Sequence, residues 1–86
     1  MNDEITIDVM LSNDIVIISP VSDIEGFTRV GLYVVMSNSL YVAVTSLCEI
    51  VKADFWMGGS GRFAKLKLRG EYSNLIMVKM MLDSYD

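Results

Sequence analysis

Residues 27–45 read FTRVGLYVVM, then SNS, then LYVAVT, and this stretch determines the predicted fold. Two runs of β-branched and aromatic residues flank a short polar turn, which is the usual pattern of a β-hairpin. Side chains alternate between the two faces of a strand, and here almost all of them are apolar on both faces. A hairpin with one solvated face would alternate apolar with polar residues. We therefore expect a cover on each face, and the cover on the second face is the main clue to function.

The dipeptide Ser-Asn, which begins the turn in this stretch, occurs three times in the chain, each time between apolar runs. Asn tolerates the left-handed backbone of tight hairpin turns, and Ser can hydrogen-bond to its local backbone. We therefore predict three antiparallel hairpins. They join Ile5–Leu11 with Ile15–Ile18, Phe27–Met36 with Leu40–Thr45, and Arg62–Tyr72 with Leu75–Leu82.

One helix is predicted between the second and third hairpins, over Leu47–Met57. Ser46 and Glu49 have the spacing of a capping box, and Gly58-Gly59 supplies a helix stop. The rival interpretation continues the preceding strand from Leu40 through Val51.

The last segment, Leu75–Leu82, is open to two interpretations as well. Its alternating apolar residues favour a strand, whereas its methionines favour a helix by propensity. The Ser-Asn before it favours the strand. The predicted order is ββ-ββ-α-ββ, an α+β domain with one curved sheet or partly open barrel and a single packing helix.

Length and composition indicate one domain. The chain has 86 residues, of which 52% are hydrophobic and one is proline, so it can bury a core. No apolar run reaches the roughly 18 residues of a membrane span, and the start lacks the pattern of a secretion signal. A single cysteine, Cys48, is typical of a reducing compartment. We expect a cytoplasmic protein without a membrane partner.

Charge is distributed unevenly along the chain, although the net charge is only −4. Six acids and no base precede Arg29, whereas residues 62–79 hold five bases and one acid. Opposite charges attract, so the first strand is predicted either beside the basic strand of the same chain or beside that of a second copy.

Catalytic chemistry has little basis in this sequence. Without histidine there is neither a Ser-His or Cys-His nucleophile nor the commonest metal ligand, so we expect no enzyme, no cofactor and no metal. Cys48 among apolar residues is interpreted as a buried small side chain. Residues 59–64, GSGRFA, match the letters of a dinucleotide-binding motif. That motif needs a strand before it and a helix after it, whereas here a helix is predicted before it and a strand after it, so we do not interpret it as a dinucleotide site.

The basic segment RFAKLKLRG is the sharpest positive feature. As a strand it would present a row of cations beside an aromatic ring, which can hold single-stranded nucleic acid, with Trp56 or Tyr72 as additional stacking residues. Lysines on an exposed strand also serve simply as a solvated face, and a pI near 4.5 is unlike most nucleic-acid binders. The candidate contacts are Arg62, Phe63, Lys65, Lys67 and Arg69.

The function best supported by sequence is non-enzymatic protein binding, as in a small inhibitor, immunity or antitoxin-like protein that self-associates, docks on a larger protein, or does both. The candidate anchors are Tyr33, Val35 and Tyr41 on the doubly apolar hairpin. The alternatives are a single-stranded nucleic-acid binder through Arg62–Arg69, an oligomeric sponge for a small anion near Gly59–Arg62, and a structural part of a larger assembly.

Overall fold

A computed structural model describes residues 2–18, 24–59 and 61–83, with the side chains of residues 56–58 left out. The chain is an α+β protein with two antiparallel three-stranded sheets and two helices. Sheet A has the order β1-β6-β5, and sheet B has the order β2-β4-β3. The elements are β1 (Asp3–Met10), β2 (Ile15–Ile17), β3 (Phe27–Arg29), β4 (Val34–Ser37), α1 (Asn38–Thr45), β5 (Glu49–Gly58), β6 (Gly61–Gly70) and α2 (Tyr72–Asp83).

Sheet A is built on β6, which pairs with β1 on one side and β5 on the other. Ala64, Leu66 and Leu68 of β6 are buried, and the residues between them face solvent more fully. The same alternation holds in β1, where Ile7 and Val9 are buried and their neighbours are exposed. Period-two alternation of this kind gives the sheet one apolar face and one polar face.

Sheet B is held centrally by β4, whose residues Val34, Val35 and Met36 are all buried. The cover predicted for both faces is thus present at these three residues, whereas Leu32 and Val42 of the same stretch are exposed. Val34 and Met36 belong to the main core, together with Leu40 and Val44 of α1. The two sheets also touch directly, because β4 lies against β5.

Helix α2 covers the apolar face of sheet A where β1 and β6 lie side by side. Its buried residues are Leu75, Val78 and Leu82, spaced as one stripe of a helix. A single core thus joins both sheets and both helices. Its buried members are Ile7, Val9, Ile15, Val34, Met36, Leu40, Val44, Cys48, Ala53, Ala64, Leu66, Leu68, Leu75, Val78 and Leu82.

The predicted strand Leu40–Thr45 is wrong, because these residues form α1. Leu40 and Val44 are fully buried while Val42 between them is 64% exposed, which is helical and not strand spacing. Ser37 is the N-cap, and its hydroxyl oxygen accepts a hydrogen bond from the Leu40 amide at 3.4 Å. The Ser-Asn dipeptide at this position therefore begins a helix and is not a hairpin turn.

The predicted helix Leu47–Met57 is also wrong, because β5 occupies most of this range. The rival strand interpretation was right only for its last residues, from Glu49 to Val51. Ser46 closes α1 as its C-cap and does not begin a helix. Gly58 pairs with Gly61, so the glycines form the turn of the β5–β6 hairpin and not a helix stop.

The predicted strand Leu75–Leu82 is wrong, and the helical alternative favoured by its methionines is right. The Leu75 amide donates to the Glu71 carbonyl at 2.9 Å, which is the first turn of α2. Ser73-Asn74 lies within that turn and reverses no chain. The third hairpin is therefore absent, and β6 pairs instead with β5 and β1.

The first two hairpins differ from the prediction in their pairing. The tight turn at Ser12–Ile15 is present, and an isolated antiparallel bridge between Ser12 and Ile15 closes it. However, β1 and β2 on either side of this turn belong to different sheets. The segment Phe27–Met36 turns back on itself, so that β3 pairs with β4. Among the described strands neither sheet closes on itself, and the single curved sheet or barrel is replaced by two sheets.

Gly31 lies where the chain between β3 and β4 passes close to β5. A Cβ built on Gly31 would stand 2.5 Å from the Ala53 carbonyl oxygen and 2.9 Å from the Ala53 Cβ. Both neighbours are rigid parts of a strand, so they cannot move aside cheaply. This close approach joins sheet B to sheet A.

We predict that Gly31→Ala destabilises the fold by about 1–3 kcal/mol, because the added methyl overpacks the contact with β5. Urea unfolding measures the change. Gly59→Ala is the matched control, since a Cβ there would meet no described atom within 4 Å. Equal unfolding midpoints for the two variants would contradict a close contact at Gly31.

Candidate protein-interaction surfaces

The basic row of β6 lies on the polar face of sheet A, as the alternation predicts. Lys65, Lys67 and Arg69 point to this face, together with Phe63, which is half-buried. Arg62 is exposed but belongs to the opposite alternation, beside Ala64. The five candidate nucleic-acid contacts therefore do not form one continuous row.

Acidic side chains flank the basic row on both sides. In the register of the sheet, Glu4 of β1 lies opposite Arg69, and Asp8 of β1 lies opposite Lys65. From the other side, Glu49 and Asp54 of β5 face the same two bases. The four acids Glu4, Asp8, Glu49 and Asp54 balance the four bases Lys52, Lys65, Lys67 and Arg69, which leaves this face without net charge.

Glu4 makes the most extensive of these ion pairs. Both Nε and Nη2 of Arg69 donate to its Oε2, at 2.9 and 2.8 Å, and Lys67 Nζ lies 3.2 Å from its Oε1. These partners hold the pKa of Glu4 below its ordinary value, chiefly through the hydrogen bond from Arg69. The same contact raises the pKa of Arg69. The predicted attraction between the ends of the chain is thus satisfied within one molecule.

The other stacking candidates are also dispersed. Tyr72 is 61% exposed but lies on α2 and not on the polar face of sheet A. Trp56 pairs through its backbone with Phe63, and its side chain is outside the described part of the structure.

The predicted interface anchors are not brought together on one exposed face. Val35 is 2% exposed, so it has no surface to offer a partner. Tyr33 is half-buried, and its ring meets Phe55 edge-on with centroids 4.9 Å apart. Tyr41 is half-buried against the core, on α1 and not on a strand. These three residues therefore do not form one exposed apolar face.

The outer face of α2 is an exposed apolar surface that the sequence reasoning missed. Tyr72, Met77 and Met80 are 61%, 52% and 67% exposed, and Ile76 between them is half-buried. Together these four residues form the α2 face. It lies opposite the stripe that packs on sheet A, so α2 is apolar nearly all round. The three methionines between residues 77 and 81 were the available signal, but the strand prediction placed them differently.

A groove of about 390 Å³ lies between α2 and β1. From α2 it is lined by Tyr72, Ile76 and Lys79, and from β1 by residues 5–8. Strand β1 is at the edge of sheet A, with β6 as its only described strand neighbour. One wall of the groove is therefore an unpaired strand edge.

The structure gives few groups for catalysis or metal binding. Cys48 is buried beside Val44, as predicted, and burial raises the pKa of its thiol, which reduces the thiolate fraction. Among residues 2–18, 24–59 and 61–83, no three cysteine or acidic side chains converge closely enough for a metal ion. Gly58 pairs with Gly61, where β6 begins, so a strand and not a helix follows the glycines, which does not match the strand-then-helix setting of a dinucleotide site.

No protein-family model, curated protein or solved structure matches this chain. In the part of the chain that the structure describes, no helix is long and apolar enough to cross a membrane. Any functional conclusion therefore rests on the surfaces themselves.

We predict that Glu4→Gln lowers stability at neutral pH and that this effect vanishes in acid. Because the folded-state pKa of Glu4 lies below its ordinary value of 4.5, the pairing contributes fully above that pH and is lost as pH falls through the folded-state pKa. Urea midpoints of wild type and variant should differ at pH 7 and converge once the pH has fallen through the folded-state pKa of Glu4.

Asp3→Asn is the control for that series, since Asp3 lies opposite Gly70 and has no basic side chain across from it. A gap between wild type and Glu4→Gln that persists unchanged in acid would show that the ion pairs do not cause it.

Proposed function

We propose that the protein is a non-enzymatic interaction module, of the inhibitor or antitoxin-like kind, that binds another protein through the α2 face. The observation that carries this proposal is the exposure of Tyr72, Met77 and Met80 on a helix whose opposite stripe already fills the core. Contiguous apolar surface on a small domain commonly marks an interface.

The spacing on α2 matches a known mode of recognition. Met80 lies three residues after Met77 and four after Ile76, so these three side chains are neighbours on the helix surface and can contact one groove of a partner, with Tyr72 one turn earlier beside Ile76. Methionine side chains adapt to irregular apolar surfaces, and each large side chain that becomes buried contributes about 1.5–3 kcal/mol. Two to three such anchors contribute about 3–9 kcal/mol, and association costs about 4–15 kcal/mol, so a single α2 face gives only a weak contact.

The partner that fits this face has an apolar groove with basic residues at its ends. Glu71 precedes α2, and Asp83 is its last residue, so both ends of the α2 face are acidic and exposed. A net charge of −4 on the whole chain favours the same kind of partner. Such a partner would be held by apolar anchors and steered by charge.

The alternatives have weaker support. For nucleic acid, the balanced charges on the polar face of sheet A leave few cations unneutralised, and phosphate contacts are what give nucleic-acid binders their affinity. For a small anion, a shallow depression of about 210 Å³ among Lys52, Lys65 and Lys67 also contains Asp54, which opposes anion binding.

We predict that Met80→Glu abolishes capture of the partner in a tagged pull-down from native cytosol, because a carboxylate would have to be desolvated in an apolar groove. The matched control is Val42→Glu on α1, since Val42 is 64% exposed and Met80 67%, and both variants add the same charge to an exposed helix position. This control should capture the partner as wild type does.

Two outcomes would overturn the proposal. Capture that survives Met80→Glu would place the contact elsewhere, and capture that disappears after nuclease treatment would favour the nucleic-acid alternative. Circular dichroism of both variants checks that the fold is retained.

A further inference from the structure

Strand β1 presents a regular edge that no strand within residues 2–18, 24–59 and 61–83 pairs with. The Leu11 amide donates to the Arg62 carbonyl at 3.2 Å, and these two residues continue the register of β1 with β6. In an antiparallel pair every second residue exchanges these bonds, so the odd-numbered residues of β1 bond to β6. The amides and carbonyls of Glu4, Thr6, Asp8 and Met10 consequently point away from sheet A.

This edge lacks the usual protection against pairing. Natural edge strands are guarded by lysine, proline or a bulge, and β1 contains none of these over its eight residues. The acidic residues of β1 protect the edge only weakly against pairing, because Glu4 is ion-paired to Arg69 and Lys67, and Asp8 lies opposite Lys65. An added strand would therefore meet little repulsion.

Among the registers in which β1 could pair with itself, one joins the most residues without placing like charges opposite each other. Self-pairing must match even with even residues, because only these carry free backbone groups. Pairing centred on Thr6 would oppose Glu4 with Asp8, and pairing centred on Asp8 would oppose Asp8 with itself. Like charges directly opposite each other are destabilising.

Pairing centred on Ile7 avoids placing acidic residues opposite each other. It sets Thr6 of one copy opposite Asp8 of the other and Glu4 opposite Met10. On the inner face it sets Ile5 opposite Val9 and Ile7 opposite itself, and β-branched pairs of this kind stabilise sheets. Pairing centred on Ile5 also places no like charges opposite each other, but it pairs fewer residues of β1.

We propose that two copies of this chain form a dimer by antiparallel pairing of their β1 strands, with Ile7 at the two-fold axis. The two copies of sheet A then become one six-stranded sheet. The groove beside the edge, with Ile5, Ile7 and Ile76 in its lining, then faces the second copy. Ile7 and Val9 are already buried within each copy, so the backbone hydrogen bonds of the edge contribute most of the pairing. This dimer goes beyond the proposed function. Tyr72 and Ile76 of the α2 face also line the groove, whereas Met77 and Met80 do not, so substitutions at Met80 separate the two contacts.

Light scattering on the full chain over a range of concentrations tests the pairing. Wild type should show twice the chain mass of 9.6 kDa. Thr6→Pro should halve that mass, because proline removes an edge amide that is not bonded to β6 and blocks the approach of a second strand. Thr6→Val, a β-branched replacement, should remain dimeric. A monomeric wild type, or a dimer unaffected by Thr6→Pro, would overturn the proposal.

Cysteine cross-linking tests the register and does not require the proline variant to fold. In a Cys48→Ala background, Thr6→Cys and Asp8→Cys chains are mixed and oxidised with oxidised glutathione. Directly opposite residues lie about 5.5 Å apart, within disulfide range, whereas diagonal neighbours lie about 7–8 Å apart. The mixture should cross-link and Thr6→Cys alone should not. Cross-linking of Thr6→Cys alone would overturn the register.

Met80→Glu separates the two proposals. It should leave the dimer mass unchanged while it abolishes partner capture. Thr6→Pro, in contrast, should lower the mass to that of a monomer. A loss of dimer in Met80→Glu, with the fold retained, would show that the α2 face and not the β1 edge holds the two copies together.

Discussion

The fold depends on β6, which is hydrogen-bonded on both sides and differs completely between its two faces. Leu66 and Leu68 are fully buried on one face, while lysine and arginine occupy the other. A strand of this kind is stable only if its neighbours match both faces at once. Strand β1, distant in sequence, supplies isoleucines and valine inside and acids outside, and β5 supplies Ile50 and Ala53 inside and Glu49 and Asp54 outside. The helices then cover the apolar side.

This two-faced pattern is also what could be predicted from the sequence. The strict alternation of β1 and β6 and the attraction of their charges needed no knowledge of distant contacts. Strand β5 was mistaken for a helix because a bulge between Ile50 and Lys52 interrupts its alternation. The extra residue puts Glu49 and Lys52 on one face and Ile50 and Ala53 on the other, and this i, i+3 spacing resembles that of a helix.

The helices were mistaken for strands for a different reason. Alternation and helical periodicity cannot be separated in a short run in which nearly every residue is apolar, and both α1 and α2 are such runs. At α1 the arrangement is decided by tertiary contacts of Ser37, whose hydroxyl donates to the Asp14 carboxylate at 3.0 Å and whose amide donates to the Asp14 carbonyl at 2.8 Å. Val35, which the sequence suggested as an interface anchor, is consequently buried. The α2 face was not predicted because α2 was taken for a strand.

The β1 edge and the α2 face adjoin each other at the groove lined by Tyr72 and Ile76, and their geometry relates them. Residues directly opposite in an antiparallel pair share one face of the sheet, so the two-fold axis of a β1–β1 dimer is perpendicular to the sheet. Both copies of α2 would therefore lie on the same side of the six-stranded sheet. A partner with two grooves could then engage both α2 faces, and the second contact would be intramolecular, with an effective concentration in the millimolar range for closely spaced sites. For a chain of 86 residues with one short apolar helix to offer, pairing at β1 is thus a physical route from a weak single contact to a durable one.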